Sequence, residues 1–405
     1  MRIIIVNSRE WPSKGPNSVF SISNAHGLAR CGFDVVYIAV SGSKNVPKYD
    51  LQNFYGLQAL ENLRIILFPN IHIGPLRTRQ FFYYLAAQKI IQLHTASPYD
   101  LIYSRDTGFL KSMAKLKNQL NIITFYESHN FFMDLHLYPI PKDQIEFMRK
   151  YYRMETKYLH NIDAICSLLS PQAELYRQYL GFDKVHVLHP GITAVSRPKD
   201  SLKRRNTIGY VGGLQQRRGL DILIDTLARV SDKSSKLLVI GGRGTERERF
   251  EKMVSAKGLN DRVLVTGWID YKKLGTYLDR ISVGLVPMKD TFYNRNLTAP
   301  LKIFDYFSRG IPVIAADLFS TREFVSEGKD GVFFKHDDSA DLAEKIHYVF
   351  RENRLEMMSR HALETARSFT WEKRANKITD IVETFRGHKK NQLDSHIHNH
   401  IENYY

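Results

Sequence analysis

Cysteine is nearly absent from this chain: Cys31 and Cys166 are the only two among 405 residues. A disulfide framework and a cysteine-based metal site are both excluded, and the apolar neighbours of each suit core packing. Long apolar runs are missing as well. No stretch reaches the roughly 18–20 residues that a membrane span needs. The opening MRIIIVNS breaks into polar residues too early for a secretory leader and reads as a first buried strand. Acidic residues are the scarcer charge, 42 against 58 Lys+Arg, so the chain carries +16 and favours acidic partners. Phosphorylated sugars, anionic lipid headgroups and nucleic acid all qualify. The absence of any RNP-like, helix-turn-helix or zinc-finger pattern sets nucleic acid aside. The expected location is cytoplasmic, with peripheral attachment at the inner face of a membrane left open.

What is present looks like a large globular chain, with 43% hydrophobic and 25% charged residues. Short apolar strand runs alternate with amphipathic helical patterns, a rhythm that implies α/β domains with parallel sheets covered on both faces. In the first half the runs lie near Ile3–Val6, Val35–Val40, Arg64–Phe68, Leu101–Tyr103, Ile122–Tyr126, Ala164–Cys166 and Val185–Leu188. The polar stretch RPKDSLKRR, residues 197–205, has the composition of a domain link. The expected organisation is an N-terminal domain over 1–196, a second domain over 197–370, a closing helix over 371–386 and a disordered tail over 387–405. His396, His398 and His400 alternate in that tail. They suit a metal, but a His-rich segment without core periodicity is the simpler reading. Residues 76–91 begin with aromatics and cations and read either as an interfacial helix or as a core helix with a solvated face.

The segment NLTAPLKIFDYFSRGIPVIAADLFSTREFVSEGKDGVFF, residues 296–334, reads as a strand–helix–strand unit. Pro300 suits the first helical turn, and Gly310 with Pro312 supplies the stop, predicting a helix of about ten residues. Lys302 and Asp305 share a face away from Ile303, Phe304 and Phe307. A lysine in the first turn opposes the helix dipole by roughly 0.3–1 kcal/mol unless an anion sits there.

PLKIFDYFSRGIPVIAADLFSTREFV resembles the donor-binding segment of family 4 retaining glycosyltransferases of the GT-B type, also called group 1. The run VGGLQQRRGLDIL from Val211 resembles the strand, glycine loop and helix start that open that family's second domain. The succession of strands and glycines from LLVIGGRG to VPMKD follows in the family's order, so the resemblance covers roughly Ile208 to Arg374. It implies two Rossmann-like domains facing across a cleft and transfer of a hexose-type sugar, with retention, from a nucleoside-diphosphate sugar to a cell-surface glycan or lipid-linked acceptor. Neither a metal nor any other cofactor is implied, the nucleotide sugar being a substrate.

Carried onto this sequence, the resemblance makes His129, at the end of a first-domain strand, and Asp305 the catalytic candidates. Donor phosphates fall to Gly15, Gly213, Arg217, Arg218, Lys302, Thr298, Ala299 and Pro300. The nucleoside falls to Gly241, Gly242, Trp268 and Ile269, with Asp305 accepting the ribose hydroxyls, and Arg105 and Glu127 belong to the acceptor side. Fixed cations and N–H dipoles are what a departing diphosphate requires. Two departures stand out. Gly213 replaces an arginine usual in the phosphate loop, and Leu297 replaces the first of two glutamates, with Asn296 or Asp290 as candidate substitutes. Two other readings stay open: a GT-B nucleotide-sugar epimerase, for which no acid/base carboxylate pair is evident, and a degenerate member that binds nucleotide sugars without catalysis.

Overall fold

The computed structural model describes residues 1–42, 51–70, 72–73, 76–77, 79–137, 139–193, 195–196, 206–215, 218–351 and 354–402, with side chains as far as 387. The chain forms two compact units, one comprising Met1–Leu168, Gln172–His189 and Trp371–Tyr405, the other Pro190–Thr370 with Leu169–Pro171. The crossover follows His189, ahead of the charged link at 197–205, which lies outside the described residues.

In the first unit, β1 (Arg2–Trp11), β2 (Asp34–Ser41) and β3 (Leu63–Phe68) precede a short antiparallel pair, β4 (His72–Ile73) and β5 (Leu76–Arg77). Then come β6 (Leu101–Ser104), β7 (Ile123–Ser128), β8 (Ala164–Ser167) and β9 (Val185–Val187). Seven of these strands form one parallel sheet in the order β3-β2-β1-β6-β7-β8-β9. Runs such as Ile3–Val6 are buried on both faces, as strands of a sheet covered by helices must be. The covering helices are α1 (Pro16–Arg30), α2 (Leu51–Tyr55), α3 (Arg79–Ala96), α4 (Leu110–Leu120), α5 (Ile145–Tyr158) and α6 (Ser170–Leu180). Helix α3 turns Phe82, Tyr83, Ala86 and Ile90 inward, the core-helix alternative for residues 76–91, while Phe81 and Tyr84 stay exposed.

The second unit holds β10 (Thr207–Val211), β11 (Lys236–Ile240), β12 (Val263–Val265), β13 (Val283–Val286), β14 (Val313–Ala316) and β15 (Gly331–Phe334). They form a six-stranded parallel sheet, β12-β11-β10-β13-β14-β15. Its helices are α7 (Leu220–Arg229), α8 (Gly244–Ala256), α9 (Tyr271–Leu278), α10 (Phe292–Asn296), α11 (Lys302–Phe307), α12 (Phe319–Arg322), α13 (Ser339–Phe350) and α14 (Arg354–Ala366). Helix α11 has six residues, not about ten. Pro300 precedes it and Leu301 is its N-cap, because the amides of Ile303 and Phe304 close shorter turns onto the carbonyls of Pro300 and Leu301 at 2.9 and 3.1 Å.

Helix α15 (Trp371–Glu402) belongs to the first unit, where Ala375, Ile378 and Val382 join Ile3, Val35, Tyr37, Leu101 and Phe125 in one core. A Cβ at Gly27 of α1 would stand 2.5 Å from that of Trp371, so this close helix packing requires glycine there. The helix runs on past 386, where an irregular tail was expected. Apart from Gly387 the segment contains no helix breaker, and no proline removes an amide from the hydrogen-bond ladder. No helix among the described residues is long and apolar enough to cross a membrane.

Beneath the β7 end lies Glu155 of α5, fully buried. It accepts from the Phe132 amide at 2.9 Å and meets the hydroxyls of Tyr176 at 2.9 Å and Tyr126 at 3.3 Å. Burial raises its carboxyl to about 8 from the ordinary 4.5, only partly opposed by these bonds. Between those values the unfolded chain has released this proton and the folded chain keeps it, so Glu155 costs stability increasingly as pH rises from 4.5 to 8. Glu155→Gln keeps the neutral partners and removes that dependence. Urea denaturation should show the variant gaining on wild type between pH 5 and pH 8, by on the order of 3 kcal/mol; a pH-independent difference would show that Glu155 is ionised in the fold.

Candidate active site

In the first sheet β1 has β2 on one side and β6 on the other, so consecutive crossovers diverge there and open a crevice at the carboxyl ends of β1 and β6. Gly15, the N-cap of α1, and Arg105, just past β6, sit at this edge. A Cβ at Gly15 would meet nothing nearer than Ser13 Oγ at 3.4 Å, so the protein's own packing does not demand a glycine.

At the end of neighbouring β7 stand Glu127 and His129. Glu127 is fully buried, and its carboxylate accepts from His129 Nε2, Tyr103 Oη and Arg374 Nη2. Arg374, 3% exposed on α15, also donates to Tyr103 Oη at 2.8 Å, Asn24 Oδ1 at 3.0 Å and the His189 carbonyl at 2.7 Å. Burial works against the Glu127 charge, but Arg374, His129 and Arg105 outweigh it and hold the carboxyl at about 2. His129 is pushed down to about 4 by burial and by Arg105, against the pull of Glu127. The ring is therefore neutral at pH 7. Because a carboxylate only accepts, its hydrogen is on Nε2, and Nδ1 keeps the lone pair. Phe20 meets the ring edge-on at 5.0 Å, with the guanidinium groups of Arg105 and Arg374 5.3 and 5.4 Å from the Phe20 centroid. Glu127 thus differs from the acceptor contact expected of it: with its oxygens occupied and no exposed surface, it orients His129 instead.

The second sheet repeats the arrangement, with β11 and β13 flanking β10. At the C-terminal edge of β10, Lys302 Nζ lies 3.8 Å from the Tyr210 ring centroid, and the Tyr210 hydroxyl donates to the Gly213 carbonyl at 2.8 Å. Buried Tyr306 ties α11 to β10, donating to the Gly209 carbonyl at 3.1 Å and accepting from the Val211 amide at 3.0 Å. Lys302 is held well below the ordinary lysine value by burial and by nearby Arg218, with Asp305 pulling the other way. Neither Lys302 nor Arg218 has a hydrogen-bonded carboxylate among the described residues. Two adjacent basic side chains, neither hydrogen-bonded to an acid among the described residues, form a place where an anion would be stabilised and would in turn favour the charged lysine. Arg217 lies outside the described residues.

Gly213 lacks the usual arginine, and the space a Cβ would enter is taken by the Gln215 amide, 2.5 Å away and bonded to Glu246 at 3.2 Å. Gly219 adopts φ +71°, and a Cβ there would strike the Pro287 carbonyl at 1.9 Å, which fixes the loop carrying Arg218 against the β13 end. Gly241 and Gly267 form an isolated bridge, bringing Gly242 and the half-exposed Trp268 and Ile269 to one edge, where Arg243 stacks 4.4 Å from the Trp268 centroid. Leu297 is 3% exposed, a core position at which a glutamate would bury its charge. Asn296 donates to the Phe292 carbonyl at 3.0 Å, and Asp290 pairs with Arg295 and His336, so both candidate substitutes already have partners. The Thr298 hydroxyl donates to the Tyr293 carbonyl at 3.3 Å, and Ala299 and Pro300 continue the backbone into α11.

Arg374, Tyr103, Phe20 and Tyr210 escape the sequence reading. Trp371 and Arg374, three apart in the closing helix, were the one visible hint of a shared inward face. Arg374→Met strands the Glu127 carboxylate in the core and should cost about 3–5 kcal/mol in urea denaturation. Adding Glu127→Gln should restore most of that loss, and a double variant no more stable than Arg374→Met would show that the charge pair is not the cause.

A model described as Glycosyl transferases group 1 matches residues 205–352, and one described as Glycosyltransferase Family 4 matches residues 19–194. Among curated proteins, the chain is 25% identical over 154 residues to an alpha-D-kanosaminyltransferase of Streptomyces kanamyceticus, covering 37% of this chain and 38% of that one. It is 26% identical over 242 residues to a D-inositol 3-phosphate glycosyltransferase of Streptomyces bingchenggensis, 54% of this chain and 52% of the relative. The chain therefore spans about half, or less, of the length of these relatives. Sucrose-phosphate synthase from Thermosynechococcus elongatus superposes with a TM-score of 0.71 at 20% identity, covering 95% of this chain and 99% of that one. Anabaena HepE in complex with UDP and glucose gives 0.69 at 16% identity over 94% and 99%. With both halves matched by glycosyltransferase models and the architecture shared along nearly its whole length, the chain belongs to the group 1, family 4 glycosyltransferases and has the GT-B fold.

Proposed function

We propose that this glycosyltransferase moves a hexose-type sugar from a nucleoside-diphosphate sugar to a glycan or lipid-linked acceptor, with retention of configuration. The observation that carries this reading is the pair of unpaired cations, Arg218 and Lys302, at the switch point of the second sheet. In this reading they take the donor diphosphate and stabilise it as it leaves, doing electrostatically what a metal does in other transferases. Asp305 accepts the ribose hydroxyls, and the edge at Gly241, Gly242, Trp268 and Ile269 receives the base. Gly15 leaves the approach to the β1 end clear of side chains, and Arg105 serves the acceptor. Neutral His129, oriented through Nε2, offers Nδ1 to a sugar hydroxyl as charge develops at the reacting carbon. UDP-glucose is the first donor to test, since a structural neighbour is described in complex with it. A lipid-linked acceptor would bring the chain, with its net charge of +16, to an anionic membrane surface.

Arg218→Ala and Lys302→Ala should each weaken UDP and UDP-glucose alike, by the roughly 1.5–3 kcal/mol of a charge-assisted hydrogen bond, and leave uridine binding unchanged. Equal loss of uridine in calorimetry would point to damage of the fold or the base edge instead. His129→Ala should bind UDP-glucose within a few-fold of wild type yet turn it over on the order of a hundred times more slowly, as a group acting mainly in the transition state does. Donor hydrolysis without acceptor supplies the readout. Binding without any hydrolysis in wild type would favour the degenerate, non-catalytic reading that Leu297 and Gly213 suggest, and appearance of a new nucleotide sugar would favour the epimerase.

A further inference from the structure

Beside the β1 end of the first unit is a depression of about 250 Å³ whose lining includes Arg9, Glu10, Gly15, Asn17, Ser18 and Arg79. Arg9 is exposed and Arg79 half-buried, and neither side chain has a hydrogen-bonded or ion-paired carboxylate among the described residues. The same is true of Arg105, whose charge Arg9 lies near enough to oppose. Several other arginines of this unit are paired, among them Arg2 with Asp34, Arg30 with Glu372 and Arg374 with Glu127. Two acids lie nearby. Asp106 accepts from the Ser8 amide and feels the charges of Arg105 and Arg9, and Glu10 accepts from Asn70 at 3.0 Å; neither is hydrogen-bonded to Arg9 or Arg79. Helix α1, 15 residues long with no acid in its first turn, directs its positive end at the depression. Ser18, 2% exposed, is among the lining residues, and its hydroxyl has no partner among the described residues.

We propose that this pocket binds a negatively charged group, a phosphate or carboxylate, carried by the sugar acceptor, with Arg9 and Arg79 supplying the charge and the Ser18 hydroxyl and the Asn17 amide of α1 the hydrogen bonds. A neutral acceptor hydroxyl needs no such cluster. The donor diphosphate already has Arg218 and Lys302 in the second unit, so a further set of unpaired cations exceeds what one diphosphate requires. The inference rests on the glycosyltransferase reading for the identity of the ligand as acceptor, and it makes that acceptor acidic.

Calorimetric titration of the full chain with sn-glycerol 1-phosphate and with glucuronate, each with and without saturating UDP, tests it, glycerol and glucose being the neutral controls. At least one anion should bind saturably with UDP present while the neutral probes do not. Arg9→Gln and Arg79→Gln should each weaken that binding on the order of tenfold, as loss of a charge-assisted contact does, and leave the UDP affinity within about twofold. Saturable binding of neither anion, equal binding by wild type and both variants, or loss of anion binding once UDP is bound would each overturn the proposal, the last assigning the arginines to the donor diphosphate. Failure of the glycosyltransferase reading shows separately in the same samples, as absence of nucleotide binding and of UDP-glucose hydrolysis.

Discussion

A guanidinium and a carboxylate, both withdrawn from water, organise the reactive end of the first unit. Glu127 and Arg374 are 0% and 3% exposed, and each would be severely destabilising alone. Together they are stable because further polar groups satisfy them: Tyr103 from β6, Asn24 from α1 and the carbonyls at 188 and 189 all converge on the same two side chains. The pair thereby ties α15 to three other elements of its unit. It also spends one oxygen of Glu127 on His129, so the orientation and protonation of that ring depend on a helix more than two hundred residues away in sequence.

The second unit is organised by a different constraint, close approach of backbone at strand ends. Gly241 at φ +130° and Gly219 at φ +71° accept positions where a side chain would collide with the Gly212 and Pro287 carbonyls. The loops they release bring Arg218 and Lys302 together near Tyr210, neither of them hydrogen-bonded to an acid among the described residues. Holding two cations this way costs folding free energy and leaves Lys302 poorly solvated as a charge. An anion placed there would relieve both penalties, the physical ground on which the proposed function assigns the donor diphosphate to this pair.

The departures from the family pattern have local physical reasons. At 297 the backbone of this chain turns its side chain into the core, where leucine packs and a glutamate would be stranded. At 213 the absent arginine leaves a space that Gln215 fills, anchored to Glu246 on α8. Both changes remove charge from the second unit, where Arg218, Lys302 and Arg243, the last stacked on Trp268, are among the cations of the described residues.

The alternation of short β-branched runs with amphipathic helices determined the two parallel sheets, because strands covered on both faces must be apolar throughout and helices on a sheet only on one side. The glycine and proline punctuation around 211–219 and 300–312 likewise announced the loops of the second unit. It could not set the length of α11, since whether residues 300–304 close tight or α-helical turns depends on what Tyr306 anchors. Candidate residues such as His129, Arg218 and Lys302 could be named from the sequence because the motifs that single them out are local. The roles of Glu127 and Arg374, and the gathering of Arg9, Arg79 and Arg105, were not, since burial and charge pairing are set by contacts between residues far apart in the chain. A carboxylate looks alike in sequence whether it meets a ligand or a buried arginine; only tertiary packing, by removing water from one and leaving the other exposed, decides which it does.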